Sequence, residues 1–193
     1  MSFKKFFLGL SLLAATGCAA DLKVETSEPR EEPSPITWTD CSNVVGDHPC
    51  DFTLQDQNGD DWSLYENYGS AIILDFSAEW CSYCQVAAAG TQHVSDSFED
   101  LIYVTILIED TTREVPSSEV LNRWADYFNI EDPVLSGDRS MLGPGGQGVW
   151  EVTGWPTFFI VDKEMRIDSI IRGYSAQSLE AAVLNVTEKS EDI

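Results

Sequence analysis

Two strongly apolar runs dominate the hydrophobic pattern of the chain. Residues 72–76 hold four apolar side chains around one carboxylate, Asp75, and residues 101–108 form a second run rich in β-branched side chains. Near-continuous apolar runs of this length are typical of strands buried on both faces of a sheet. The Ala-rich residues 84–98 between them suit a helix, so we predict a right-handed β-α-β unit.

Weaker patterns predict the elements around this unit. Residues 51–64 alternate apolar and polar positions around Asn58-Gly59, which is a hairpin signature. Residues 117–130 predict a helix behind a serine N-cap, and residues 133–135 predict a short strand. The Gly-rich residues 137–148 predict an irregular loop with a weak helical turn. The second helix should bury an apolar stripe formed by Val120, Leu121, Trp124, Tyr127 and Phe128.

The C-terminal third of the chain predicts a hairpin and a last helix. Gly154-Trp155-Pro156-Thr157 leads into a strand over residues 158–161, which should pair antiparallel with residues 165–171 after a tight turn. Residues 175–186 carry apolar side chains at helical spacing and should pack as the final helix.

The first 17 residues have the layout of an export signal. Two lysines precede the apolar run 6–15, which is too short to span a bilayer permanently. The small residues leading to Cys18 resemble a bacterial lipobox, although Ala15 stands where that pattern prefers Leu. We therefore expect cleavage after residue 17 and a lipid-modified Cys18; the alternative is an ordinary secreted protein in which Cys18 is incidental.

Residues 18–37 are rich in Glu, Ser and Pro and are expected to be a disordered tether ahead of one domain over residues 38–193. The chain has 33 acidic and 11 basic residues, a formal charge of −22, and removal of residues 1–17 leaves nine basic residues and a charge of −24. Nucleic-acid binding needs clustered Lys and Arg, so this balance argues against it. We expect a monomer without a cofactor.

The strongest chemical signal is the Cys-x-x-Cys motif of Cys81 and Cys84. The motif follows the first apolar strand directly, so Cys81 should lie at the N-terminus of the next helix. Unpaired N–H groups at that position favour an anion and lower the pKa of a thiol, which would make Cys81 a nucleophile. Cys84, one turn into the helix, can close a disulfide with it.

Cys41 and Cys50 form a second close pair. They enclose eight residues that include the turn formers Gly46 and Pro49, so we expect a structural disulfide. Two other interpretations stay open at this point. The pair could relay electrons to the first motif, or it could bind a metal together with His48.

Three stretches, residues 51–64, 72–84 and 152–162, together resemble thioredoxins. The added hairpin, the helix around Trp124 and the export tether resemble, more narrowly, the TlpA/ResA-type thiol-disulfide oxidoreductases and the redoxin group around them. This resemblance implies a thioredoxin-like three-layer α/β fold: a mixed central β-sheet flanked by helices, with an N-terminal β-hairpin extension.

The resemblance also implies roles for individual residues. Cys81 would attack a substrate disulfide and Cys84 would resolve the mixed disulfide. Pro156 matches the family's cis-proline, which faces the cysteines. Asp75 matches the buried acid that exchanges a proton with Cys84; the alternative is a hydrogen-bonded core acid. The residues expected to contact substrate are Trp80, Ser82, Tyr83, Trp155 and Thr157.

Ser82 and Tyr83 stand where thioredoxins have Gly-Pro, which leaves the redox potential and the direction of the reaction open. We expect Glu79 to be a solvated neighbour of the motif and His93 to be exposed rather than catalytic.

The sequence thus predicts an exported, lipid-anchored thiol-disulfide oxidoreductase that acts on cysteine-containing exported proteins and depends on a separate redox partner. One alternative is a thiol peroxidase, whose usual Pro-x-x-x-Thr/Ser-x-x-Cys pattern is absent from this chain. Another is a copper chaperone that uses Cys81, Cys84 and a histidine.

Overall fold

A five-stranded mixed sheet forms the centre of the computed structural model, which describes residues 35–143 and 148–188. The predicted signal peptide, Cys18 and residues 18–34 of the predicted tether lie outside the described residues. The elements, in chain order, are β1 (Thr53–Gln55), β2 (Asp61–Ser63), β3 (Ala71–Ser77), α1 (Ser82–Asp96), β4 (Leu101–Leu107), α2 (Ser118–Phe128), β5 (Val134–Ser136), β6 (Leu142–Gly143), β7 (Trp150–Glu151), β8 (Thr157–Val161), β9 (Ile167–Arg172) and α3 (Ala176–Glu188).

The strand order of the central sheet is β5-β4-β3-β8-β9. Strands β3, β4 and β5 run parallel, whereas β8 is antiparallel to β3 and β9 is antiparallel to β8. Every residue of β3 is buried, because the strand is central and both sheet faces are covered. The fold is therefore the mixed thioredoxin-like α/β fold that the sequence predicts.

Helices cover one face of the sheet and the N-terminal part of the domain covers the other. Ile73 and Tyr103 pack with α1 and α3 on the helical face, where α2 also lies against Leu107 and Val134. On the opposite face, Phe76 and its neighbours pack against aromatic side chains of the hairpin region and against Trp150. These two layers bury β3 on both faces and fix its end, from which the cysteine motif extends.

The predicted hairpin is confirmed, with β1 and β2 paired antiparallel around Asn58-Gly59. Two details differ from expectation. Tyr127 was expected in the buried stripe of α2 but is 78% exposed, whereas Val120, Leu121 and Trp124 are buried and Phe128 packs against the same cluster. The Gly-rich segment was expected to be an irregular loop, but Leu142–Gly143 pairs in parallel with Trp150–Glu151, and the expected helical turn is a 3₁₀ turn at Arg139–Met141.

Within the described ranges, no helix combines the length and the apolar character needed to cross a membrane.

Candidate active site

The N-terminus of α1 carries the cysteine pair. Cys81 is the N-cap residue of this helix, and its sulfur accepts a hydrogen bond from the backbone N–H of Cys84 at 3.2 Å. The two residues form a disulfide, with their Cα atoms 5.2 Å apart. Cys81 is 6% exposed and Cys84 is fully buried, so Cys81 is the member of the pair that a substrate can approach.

Asp75 lies on β3, six residues before Cys81, and its side chain is buried. The hydroxyl of Ser77 donates to its Oδ1 at 2.6 Å and the hydroxyl of Tyr103 donates to its Oδ2 at 3.3 Å. Burial raises the pKa of Asp75 from 3.8 to about 7, against the two hydrogen bonds, which lower it. A carboxyl group of this kind can take up or release a proton near neutral pH.

The start of β8 lies beside the end of β3, because Thr157 is paired with Phe76. The peptide bond between Trp155 and Pro156 is cis, as the resemblance implies. The rings of Trp80 and Trp155 meet edge to face with centroids 6.5 Å apart. Both rings pack against the cluster that contains the two cysteines.

Thr157 has a different place from the one expected. It was expected to contact substrate, but its side chain is fully buried and its hydroxyl donates to the carbonyl of Gly154 at 2.8 Å. This hydrogen bond closes the turn that presents Trp155 and Pro156. Thr157 therefore stabilises the turn before β8 from its buried side.

Ser82 and Tyr83 occupy the first turn of α1 and both are exposed, Tyr83 by 70%. They form the solvent side of the cysteine pair and are available to a docking chain. His93 lies near the other end of the same helix and is exposed.

Glu109 is a buried carboxylate beside the site, and the sequence analysis did not single it out. Its Oε2 accepts a hydrogen bond from the indole N–H of Trp80 at 2.8 Å. Its Oε1 accepts a hydrogen bond from Nε of Arg139, and Arg113 approaches Oε2 at 3.5 Å. Arg113 also stacks on the Trp80 ring, 3.7 Å from the centroid.

The charge of Glu109 is compensated by these partners. Burial by itself would raise the pKa of Glu109, but the hydrogen bonds from Arg139 and Trp80 and the charges of Arg139 and Arg113 outweigh it and lower the pKa. Glu109 thus stays ionised and fixes the orientation of Trp80. The one feature of the sequence that could have identified Glu109 is its position directly after the apolar run of β4.

Glu79 was expected to be solvated but is largely buried and paired. Its Oε1 contacts a guanidinium nitrogen of Arg123 at 2.7 Å, and its Oε2 accepts a hydrogen bond from the N–H of Thr111 at 3.0 Å. The backbone carbonyl of Glu79 accepts a hydrogen bond from the Gln85 side chain. These contacts tie the turn before Cys81 to α1, α2 and the loop after β4.

Cys41 and Cys50 form the expected disulfide. Their loop is bound to the start of β9: the N–H of Gly46 donates to the carbonyl of Ile167, and the N–H of Ile167 donates to the carbonyl of Asp47. His48 stacks on Trp38 and its Nδ1 donates to the carbonyl of Met165. Among the described residues, no three His, Cys, Asp or Glu side chains are grouped as metal ligands.

Comparison with known proteins gives three kinds of match. A family model described as the AhpC/TSA family matches residues 45–170. The chain is 25% identical over 125 residues to the thioredoxin-like protein YneN of Bacillus subtilis, covering 65% of this chain and 69% of that protein. It is 21% identical over 145 residues to the thiol-disulfide oxidoreductase ResA of the same organism, covering 72% and 74%.

The fold also matches solved structures. A secreted thiol-disulfide isomerase from Corynebacterium glutamicum superposes with a TM-score of 0.61 at 15% identity, covering 74% of this chain and 86% of that one. At this level of identity the match shows a shared fold.

Proposed function

The chain belongs to the AhpC/TSA family, and on that premise we propose that it is a thioredoxin-like thiol-disulfide oxidoreductase that exchanges disulfides with protein cysteines through Cys81 and Cys84. The observation that carries the proposal is the cysteine pair at the N-terminus of α1, where Cys81 keeps a small exposed fraction and Cys84 is fully buried. The likeness to ResA supports it.

In the reducing direction, the Cys81 thiolate attacks one sulfur of the substrate disulfide. A mixed disulfide forms and the first substrate thiolate leaves. The free N–H groups at the start of α1 stabilise the Cys81 thiolate. Cys84 then loses its proton and attacks the Cys81 sulfur, which releases the second substrate thiolate. The substrate gains two electrons and the enzyme loses two, and the reverse sequence oxidises a dithiol.

Asp75 serves the second half of this reaction. Cys84 is buried, so its proton needs an acceptor within the protein when the resolving thiolate forms. A carboxyl group with a pKa of about 7 is half ionised near neutrality and can act as that acceptor. Trp80, Trp155 and Pro156 supply the surface on which the substrate chain lies, with Ser82 and Tyr83 at its solvent side.

Substitution of the cysteines tests the assignment. Cys81→Ser should abolish reduction of a model peptide disulfide. The Cys84→Ser variant should still attack the peptide disulfide through Cys81 and should accumulate the mixed disulfide, visible as a mass adduct. The double variant Cys41→Ser/Cys50→Ser is the control and should retain exchange. Turnover by Cys81→Ser at the rate of the unaltered protein would refute the assignment. Peroxide consumption that depends on Cys81, without disulfide exchange, would point to a thiol peroxidase instead.

We further propose that the protein is exported and anchored to a bacterial membrane by a lipid on Cys18. Three observations support this: the signal-like layout of residues 1–18, the Cys41–Cys50 disulfide, which suits an oxidising compartment, and a structural relative described as secreted. In a bacterial host, the full chain should incorporate labelled palmitate and Cys18→Ala should not. Equal labelling of both would contradict the anchor.

A further inference from the structure

Among the described residues of this acidic protein, most cationic side chains lie at one end of the sheet. Residues 35–143 and 148–188 contain six Lys and Arg residues. Lys163 and Arg166 lie at the turn between β8 and β9, at the sheet end opposite the cysteines. The other four are all arginines, and each contacts or adjoins the residues around Cys81: Arg113, Arg123, Arg139 and Arg172.

Arg113 and Arg139 are held on one side of the site. Both contact the buried Glu109, yet their side chains are 58% and 61% exposed. Within the part of the chain that the structure describes, their remaining contact is the stacking of Arg113 on Trp80. A guanidinium carries five N–H donors, so both groups keep donors that face solvent.

Arg172 lies on the other side of the site. It ends β9 opposite Thr157, and the next residue, Gly173, donates its N–H to the carbonyl of Pro156 at 2.8 Å. The side chain is exposed and has no ion-pair or hydrogen-bond partner among the residues described here. Arg172 therefore adjoins the cis-proline through its backbone and carries an unpaired charge in a chain with a net charge of −22.

Two carboxylates on the neighbouring turns accept hydrogen bonds from their own backbone. Asp110 accepts hydrogen bonds from the backbone of Thr112 and Glu114. Asp138 accepts one from the N–H of Ser140. These two groups cap their own turns. Arg123 pairs with Glu79 on the α2 side and is 53% exposed, so it also keeps donors that face solvent. Arg113, Arg139 and Arg172 are the cations at this end of the sheet that follow or end its strands.

The strand order sets the spacing of the three groups. Arg113 follows β4 and Arg139 follows β5, on one side of β3, whereas Arg172 ends β9 on the other side. Cys81 follows β3 and lies between them. Adjacent strands are about 4.8 Å apart, so β4 and β9 are separated by about 14 Å, which is the length of about four extended residues.

We propose that Arg113, Arg139 and Arg172 recognise acidic side chains located about two residues before and after the reacting cysteine of a polypeptide substrate. This inference rests on the proposed function and specifies its substrate class. Carboxylates pair well with guanidinium groups, and the rest of the molecule repels them, so an acidic segment would be held with its cysteine beside Cys81. The preference is electrostatic and should weaken as salt is added.

The test compares three synthetic peptides that carry one cysteine as a mixed disulfide with 2-mercaptoethanol. In each peptide, the two residues on either side of the cysteine are of one kind: Asp in the first peptide, Asn in the second and Lys in the third. The reduced protein should react fastest with the Asp peptide, and the ratio of the Asp rate to the Asn rate should fall between 20 mM and 500 mM NaCl. Arg172→Gln should lower that ratio about three- to fivefold, as expected for loss of one exposed ion pair.

Arg166→Gln is the matched control, because it removes the same charge at the opposite end of the sheet and should leave the ratio unchanged. Equal rates for the Asp and Asn peptides, or an equal fall of the ratio in both variants, would overturn the acidic preference while leaving the proposed function intact. Failure of every peptide to react would instead count against the proposed function.

Discussion

Asp75 combines two properties that are usually separate in a protein core. It is a hydrogen-bonded core acid, held by Ser77 and Tyr103, and its pKa of about 7 also makes it titratable near neutrality. No ion-pair partner of Asp75 is present among residues 35–143 and 148–188. The buried charge of Asp75 is therefore neutralised by protonation.

This arrangement predicts that burial of Asp75 costs stability as the pH rises. Below about pH 4 the carboxyl is protonated in both the folded and the unfolded chain, so its titration adds no penalty. Between 3.8 and about 7 only the unfolded chain ionises, and the free energy of unfolding falls progressively. Asp75→Asn should therefore be more stable than the unaltered protein by about 2 to 4 kcal/mol at pH 8, and by little at pH 4.

Urea unfolding of the oxidised protein at pH 4 and pH 8 measures this difference. Asp61→Asn, at the exposed first residue of β2, is the control for loss of a negative charge and should show no comparable gain at pH 8. The same Asp75 variant should resolve mixed disulfides more slowly at neutral pH. An Asp75→Asn protein with the same stability difference at both pH values would contradict the proposed protonation.

Gly137 shows how tightly the central sheet is packed near the candidate active site. It follows β5, and a Cβ atom added there would lie 2.7 Å from Cγ2 of Ile106 and 2.8 Å from Cδ1 of Ile108. Both isoleucines belong to the buried cluster on the hairpin side of the sheet. Their side chains would have to move, and movement in a close-packed core is costly.

We therefore expect Gly137→Ala to lower the free energy of unfolding by about 1 to 3 kcal/mol, the usual range for overpacking. Gly154→Ala is the matched control, because its added Cβ would meet no atom within 4 Å. Thermal unfolding followed by circular dichroism measures both. Equal midpoints for the two variants would show that the sheet yields easily around Gly137.

Elements with a clear local period could be predicted from the sequence, and contacts between distant segments could not. The runs of β3 and β4, the hairpin around Asn58-Gly59 and the helix after Cys81 each carry their own signal. Tyr127 shows the limit of periodicity, because helical spacing gives each side chain a direction around the helix axis but does not give the width of the face that is covered. The strand pair β6/β7 could not be predicted, because the glycines in and around β6 weaken the sequence pattern of a strand.

The same limit applies to the candidate site. Cys81, Cys84, Asp75 and Pro156 lie in or beside recognisable motifs, so the sequence pointed to them. Glu109 has partners up to 30 residues away in the chain, and nothing in the spacing of Trp80, Arg113 and Arg139 reveals that they converge. Only the strand order brings these groups together.

At the scale of the whole molecule, the two disulfides occupy opposite ends of the sheet. Cys81 follows the end of β3, which lies beside Thr157 and Arg172. The loop closed by Cys41 and Cys50 binds Ile167 instead, at the other end of β9. Five residues of extended strand correspond to about 17 Å, so sulfurs of the two pairs cannot meet without unfolding of the loop.

Removal of the disulfide between Cys41 and Cys50 should therefore lower the stability of the protein and leave its rate of disulfide exchange unchanged. The bridged residues are nine positions apart, and closing a loop of this size stabilises the folded protein by about 2.5 to 3 kcal/mol in the chain-entropy model. Cys41→Ser/Cys50→Ser should lose that amount in urea unfolding, because the loop is no longer constrained in the unfolded chain. Its rate of disulfide exchange through Cys81, measured well below the unfolding midpoint, should equal that of the unaltered protein. A relay of electrons from Cys41 and Cys50 makes the opposite prediction: turnover with an external reductant would slow while the single exchange step stayed fast, and that result would assign the pair a redox role.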